Sequence, residues 1–179
     1  MYVAVYGGSF NPPHLAHQLA MTCVLSMARV DEVWMVPTFK HPFDKRLAPF
    51  ADRVRMCELA AAPFSRVRVS RVEEELGGES YTLRTITALA AAHPKDRFAL
   101  VIGADLVAER ERWHGWAELK QLVNFIVVGR QGAPNNGGVE LPPISSTAVR
   151  QRIARGEPID TMVAANVADY IAERKLYRE

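Results

Sequence analysis

From Phe98 to Ile102 the chain runs Phe-Ala-Leu-Val-Ile, apolar at every position, and then meets Gly103. A half-exposed strand would alternate apolar and polar residues, and a buried helix would need a longer apolar run. The segment Arg97–Gly103 therefore reads as a strand covered on both faces, the kind that occupies the interior of parallel sheets. Similar runs recur: Tyr2–Tyr6, Glu32–Pro37, Arg66–Val69 and Asn124–Gly129, rich in Val, Ile and aromatic residues. Between them lie amphipathic stretches of helical period, from about His14 to Arg29, Pro49 to Ala62 and Thr82 to Ala92. Short helical pieces are expected around Leu106–Arg110 and Trp116–Gln121, and two helices, Ser146–Arg155 and Asp160–Lys175, close the chain.

Strands alternating with helices predict an α/β fold: a Rossmann-like, doubly wound parallel sheet of about five or six strands, helices on both faces and a helical C-terminal cap. At 179 residues, with 49% hydrophobic and 23% charged residues, the whole chain 1–179 is expected to form one domain. The net charge of +2 is too small to argue for nucleic acid or a membrane as partner. Cys23 and Cys57 show no metal-ligand spacing and are expected to be buried thiols. The chain begins directly in a strand, which suits a cytoplasmic location.

Open parallel sheets bind ligands beyond the carboxyl ends of their strands. The segment Gly7-Gly-Ser-Phe-Asn-Pro-Pro-His-Leu-Ala-His17 falls there, after the first strand. His14 and His17, three residues apart, share one face of the first turn of a helix. A helix start offers unpaired N–H groups and the positive end of the peptide dipole, so it suits an anion such as the phosphates of ATP. The segment matches neither the dinucleotide fingerprint nor the P-loop. Near the other end, Ile144-Ser-Ser-Thr-Ala-Val-Arg150 opens a second helix. Ser145 or Ser146 can cap it, and Arg150 shares a face with Ser146 and Thr147, where a planar guanidinium can grip phosphate. Asp105, at the carboxyl end of a strand, is a candidate acceptor for ribose hydroxyls.

These two motifs together resemble the nucleotidyltransferase superfamily, and in it the nicotinate (nicotinamide) mononucleotide adenylyltransferases of bacterial type. The resemblance implies that His14, His17, Arg150 and Lys45 are catalytic, neutralising charge on the transferred and departing phosphates. It implies an ATP site of Gly8, Ser9, Phe10, His14, His17, Ile144, Ser145, Ser146 and Arg150. Lys45 is read from the loop Pro37–Lys45, with Lys40 as its rival; His41 and His93 receive no role. Ser80-Tyr-Thr82, Gly103-Ala-Asp105 and Trp113-His114 resemble the family's acceptor pocket, which implies that Thr82, Asp105, Trp113 and His114 bind nicotinate mononucleotide. A flat, electron-poor ring stacks on indole, and backbone N–H groups suit a carboxylate.

The implied reaction is adenylyl transfer from ATP to nicotinate mononucleotide, giving deamido-NAD and pyrophosphate. Mg2+ is expected to travel with ATP, because no clustered carboxylates mark a resident metal. The family also implies a homodimer. Three positions depart from the pattern: Asn11 for Asp, Ala16 for Gly and Arg84 where an acid is usual. Phosphopantetheine adenylyltransferase shares both phosphate motifs and is the alternative, but its flexible substrate needs no stacking Trp. A non-catalytic nucleotide-binding module is the remaining reading.

Overall fold

The computed structural model describes residues 1–41, 46–107, 111, 113–130 and 140–178, with the side chains of Asp105 and Arg130 left aside. Its elements in chain order are β1 (Tyr2–Gly8), α1 (Leu15–Met27), β2 (Glu32–Pro37), α2 (Phe50–Ala61), β3 (Val67–Val69), α3 (Val72–Leu76) and α4 (Thr82–Ala92). There follow β4 (Arg97–Gly103), a 3-10 turn (Ala104–Leu106), α5 (Trp116–Leu122), β5 (Asn124–Arg130), β6 (Glu140–Leu141), α6 (Ser146–Ala154) and α7 (Ala165–Glu173).

The six strands form one sheet in the order β3-β2-β1-β4-β5-β6, every pairing parallel. The order reverses between β1 and β4, so the switch-point crevice opens where Gly8 and Gly103 end their strands. Phe98–Ile102 is buried throughout, as an all-apolar strand in a doubly covered sheet must be. Side-chain alternation divides the core in two. Ala4, Val33, Met35 and Val101 pack with Met21, Val24, Cys57 and Ala61 of α1 and α2. Val3, Val5, Val36, Leu100 and Ile102 face Ile86, Leu89 and Leu119 of α4 and α5. A third cluster joins α2 to the C-terminal helices through Met56, Ala60, Val149, Val167 and Ile171.

Several elements differ from the sequence reading. Cys57 is buried, but Cys23 is only half-buried. The one-turn helix α3 carries three consecutive glutamates and has no room to display a periodic apolar face. Strand β6 has two residues, and the last helix starts at Ala165 rather than Asp160. The segment before it turns so that the Met162 carbonyl accepts from the Leu15 amide at 2.9 Å, satisfying one of the open donors of α1. After β4 a 3-10 turn covers Ala104–Leu106, and residues 108–110 of the expected helical piece lie outside the described set. Among the described residues no helix is long and apolar enough to cross a membrane.

Candidate active site

A cleft of about 920 Å³ occupies the switch-point crevice, walled by Gly7–Asn11, His14, Ala16 and His17 on one side. Its other walls come from Ser80–Thr82 at the start of α4, from Trp113 and His114, and from Ser145–Thr147 and Arg150. All but one of the candidate residues with described side chains thus converge on one cavity. Ile144 is instead packed into the third cluster. Asp105 sits in the 3-10 turn beyond β4, with its side chain outside the described set, and Lys45 is outside it altogether.

The histidine pair is built by the start of α1. His14 is the N-cap in extended backbone, and its N–H donates to Nδ1 of His17 at 3.0 Å. The imidazoles stack with centroids 3.7 Å apart, and the edge of Phe10 meets His17 at 5.0 Å. With Nδ1 accepting, a neutral His17 carries its hydrogen on Nε2 and presents it as a donor. Phe10 itself is 1% exposed, and its ring belongs to the core beneath the cleft. Gly8 makes room for that ring, because a Cβ there would lie 3.2 Å from Phe10 Cζ.

The two distant phosphate motifs are bonded to each other. Ser146 Oγ donates to the Pro12 carbonyl at 2.8 Å, and Arg150 Nη1 donates to the Asn11 carbonyl at 2.7 Å. Ser145 Oγ accepts from the Ala148 amide at 3.1 Å and caps α6. Arg150 Nη2 reaches Thr147 Oγ1 at 3.3 Å, as their shared helix face requires. Loop and helix start therefore form one cradle of donors. The buried Asn11 Oδ1 accepts from the Ala48 amide at 2.9 Å and from the Tyr177 hydroxyl at 3.0 Å, which locks the C-terminal segment onto the same loop. Burial raises the Tyr177 pKa and keeps that hydroxyl a donor.

On the opposite wall, Thr82 begins α4, and the half-buried Trp113 packs against the second core cluster while lining the cleft. His114 lies 4.9 Å from the Tyr81 ring, centroid to centroid. Trp116 turns away and packs on Phe125 at 5.0 Å. Arg84 also leaves the site. Its guanidinium donates to the carbonyls of Leu76, Gly77 and Glu79, so it closes the end of α3 instead of adding charge to the pocket. Ala16 stands in the wall of the cleft, where its methyl takes space a glycine would leave.

Sequence reasoning missed four residues. His41 lines the cleft, as do Glu73 and Thr85. Arg53, 1% exposed, donates to the carbonyls of Ser9, Phe39 and Ala48 from beneath it. Burial lowers the Arg53 pKa, opposed in part by Cys57, Tyr177 and Glu73. In the sequence, Glu73 is one of three adjacent glutamates and Arg53 one of many helix arginines, so neither carried a signal. Among the described residues no group of three His, Cys, Asp or Glu side chains could hold a metal ion.

At the switch point of a doubly wound sheet, a cradle of hydrogen-bond donors faces an aromatic-lined pocket, an arrangement suited to a nucleotide. The cytidylyltransferase-like family model matches residues 5–152. A protein of Anaeromyxobacter dehalogenans named "Probable nicotinate-nucleotide adenylyltransferase" is 49% identical over 98% of this chain and 96% of its own length. One of the same name from Myxococcus xanthus is 40% identical over 98% and 94%. Among solved structures, the Plasmodium falciparum nicotinic acid mononucleotide adenylyltransferase complexed with NaAD shares the fold, with a TM-score of 0.85 at 22% identity over 98% and 97% of the two chains. The chain belongs to the cytidylyltransferase-like family and, within it, to the nicotinate-nucleotide adenylyltransferases.

Proposed function

We propose that this chain catalyses attack by the 5′-phosphate of nicotinate mononucleotide on the α-phosphorus of ATP. The P–O bond to pyrophosphate breaks as the new P–O bond forms, giving deamido-NAD. The observation that carries the reading is the stitched cradle: His14, His17 and Arg150 meet in one cleft, held by Ser146 and Arg150 bonds to the Asn11-Pro12 backbone. The attacking phosphate is already an anion, so the protein needs no nucleophile of its own. Its task is positioning and electrostatic stabilisation.

In this mechanism His14, His17 and Arg150 donate to oxygens that gain charge as pyrophosphate leaves. Lys45 is assigned to the same charge from the loop after β2. Gly8, Ser9, Phe10 and Ser145 shape the ATP wall, and Ile144 supports it from the core. Thr82, Asp105, Trp113 and His114 hold the acceptor: indole against the pyridine ring, backbone donors at α4 and beyond Trp113 for the carboxylate. The donors of the cradle suit phosphate oxygens, which would bring their own divalent ion, and we assign Mg2+ to that place on ATP. When bound there, Mg2+ neutralises phosphate charge.

Pyrophosphate release from ATP, measured with nicotinate mononucleotide, nicotinamide mononucleotide and phosphopantetheine in parallel, tests the reading. Turnover is expected with nicotinate mononucleotide foremost; release only with phosphopantetheine overturns it. His17→Ala is expected to lower kcat by at least about tenfold, the loss of one charge-assisted contact in the transition state.

A further inference from the structure

Beneath the cleft, one residue is gripped through the two peptide units that flank it. Phe39, just beyond β2, has its carbonyl 3.4 Å from Arg53 Nη2, and its N–H donates to Glu73 Oε2 and Ser80 Oγ, each at 3.0 Å. Each grip continues to a different wall. Arg53 Nη1 donates to the Ser9 carbonyl at 3.0 Å, in the loop that carries the histidines. Glu73 Oε1 accepts from Thr85 Oγ1 at 2.9 Å, on the first turn of α4, whose first residue is Thr82. The Phe39 ring is held too, edge-on to Phe50 at 5.1 Å, with the Arg53 guanidinium 5.3 Å from the same Phe50 ring.

We propose that Arg53 and Glu73 are positioning residues that fix the backbone on either side of Phe39 and thereby set the phosphate wall and the acceptor wall of the cleft at a working distance. Arg53 and Glu73 are 1% and 8% exposed, and burying charge is expensive unless every hydrogen-bonding group is used. Arg53 spends all three of its hydrogen bonds on loop carbonyls at the cleft, those of Ser9, Phe39 and Ala48. Glu73 spends both oxygens on cleft segments. An apolar pair could fill the same volume but could not orient a peptide. A planar fork and a two-oxygen acceptor can. Adenylyl transfer needs two substrates aligned for in-line displacement, so the spacing of the walls enters the rate directly.

The proposal rests on the adenylyl-transfer reading only for the identity of the acceptor. Three variants test it: R53K, E73Q and T85V, with kcat, both KM values and Tm measured for each. E73Q and T85V weaken the same link from its two sides, and are expected to raise KM for nicotinate mononucleotide at least about fivefold while KM for ATP stays within about twofold. R53K keeps the charge but loses the fork, and is expected to do the reverse. Because both grips act on one residue, through the peptides on either side of it, the loss in kcat/KM of R53K/E73Q should be smaller than the product of the single losses. Parent-like kinetics in folded E73Q and T85V, or both KM values rising together, overturn the proposal. Should R53K fail to fold, those two variants decide alone. No turnover by the parent enzyme with nicotinate mononucleotide would remove the substrate reading. Equilibrium binding of ATP then decides: weakening in R53K at least about fivefold, with E73Q and T85V unchanged, supports the wall assignment, and any other pattern overturns it.

Discussion

Replacing Arg150 by alanine separates two contributions of one side chain. In the unliganded protein Nη1 holds the Asn11 carbonyl at 2.7 Å, and the residue also lines the cleft. Losing the Asn11 bond costs about 1–2 kcal/mol of stability, since the donor is charged and the site half-buried. For a chain of this length that is a fall of about 2–8 °C in Tm. In the transition state the same guanidinium is assigned to the departing phosphates, where a charged hydrogen bond contributes about 1.5–3 kcal/mol, or a loss of about 10- to 150-fold in kcat/KM. Arg150→Lys, which keeps the charge without the fork, should fall between the parent and the alanine variant in both measures. Steady-state pyrophosphate release well below the variant's Tm, with calorimetry alongside, reads the two effects independently. If Tm falls as expected while kcat/KM stays within about twofold of the parent, Arg150 is a strut between loop and helix, and its place in the chemistry is refuted.

Gly115 caps α5 at φ 70°, and a Cβ there would lie 2.2 Å from Leu83 Cδ2. Gly115→Ala should therefore lower stability by about 1–3 kcal/mol through strain and the displaced leucine, read as a lower Tm; an unchanged Tm would show that α5 shifts freely. Burial raises the Tyr177 pKa above its unfolded value, so its protonated form stabilises the fold below the unfolded pKa, and that stability is lost as pH climbs past it. Tyr177→Phe should accordingly cost about 1 kcal/mol near neutrality, from the Asn11 bond, and flatten the alkaline decline seen in chemical denaturation. An equally steep decline in the variant would place the alkaline sensitivity elsewhere.

The strands and the helix starts were legible because each rests on local pattern. An all-apolar run such as Phe98–Ile102 has one stable setting, a doubly covered strand, and Pro-Pro before His14 or Ser145 before Ser146 marks where a helix begins. Thr82, Trp113 and His114 became legible only through resemblance, and the structure puts them on the wall facing the cradle. Arg84 shows the limit of local reading. Its charge looked like a disturbance to the acceptor pocket, yet the chain folds back and spends that charge on the carbonyls ending α3.

By itself, the sequence determined the alternation of strands and helices, and with it the parallel sheet, the helix starts and the residue types available to phosphate. Those follow from side-chain period and backbone preference, which act over a few residues. Tertiary structure alone decided which distant groups meet: Ser146 and Arg150 on the Asn11-Pro12 backbone, Tyr177 on Asn11, Arg53 and Glu73 on the carbonyl and the N–H of Phe39. These are contacts between polar groups far apart in the chain. A buried donor must find an acceptor, but nothing in the local sequence says which one, because the choice is made when the helices pack and water is excluded.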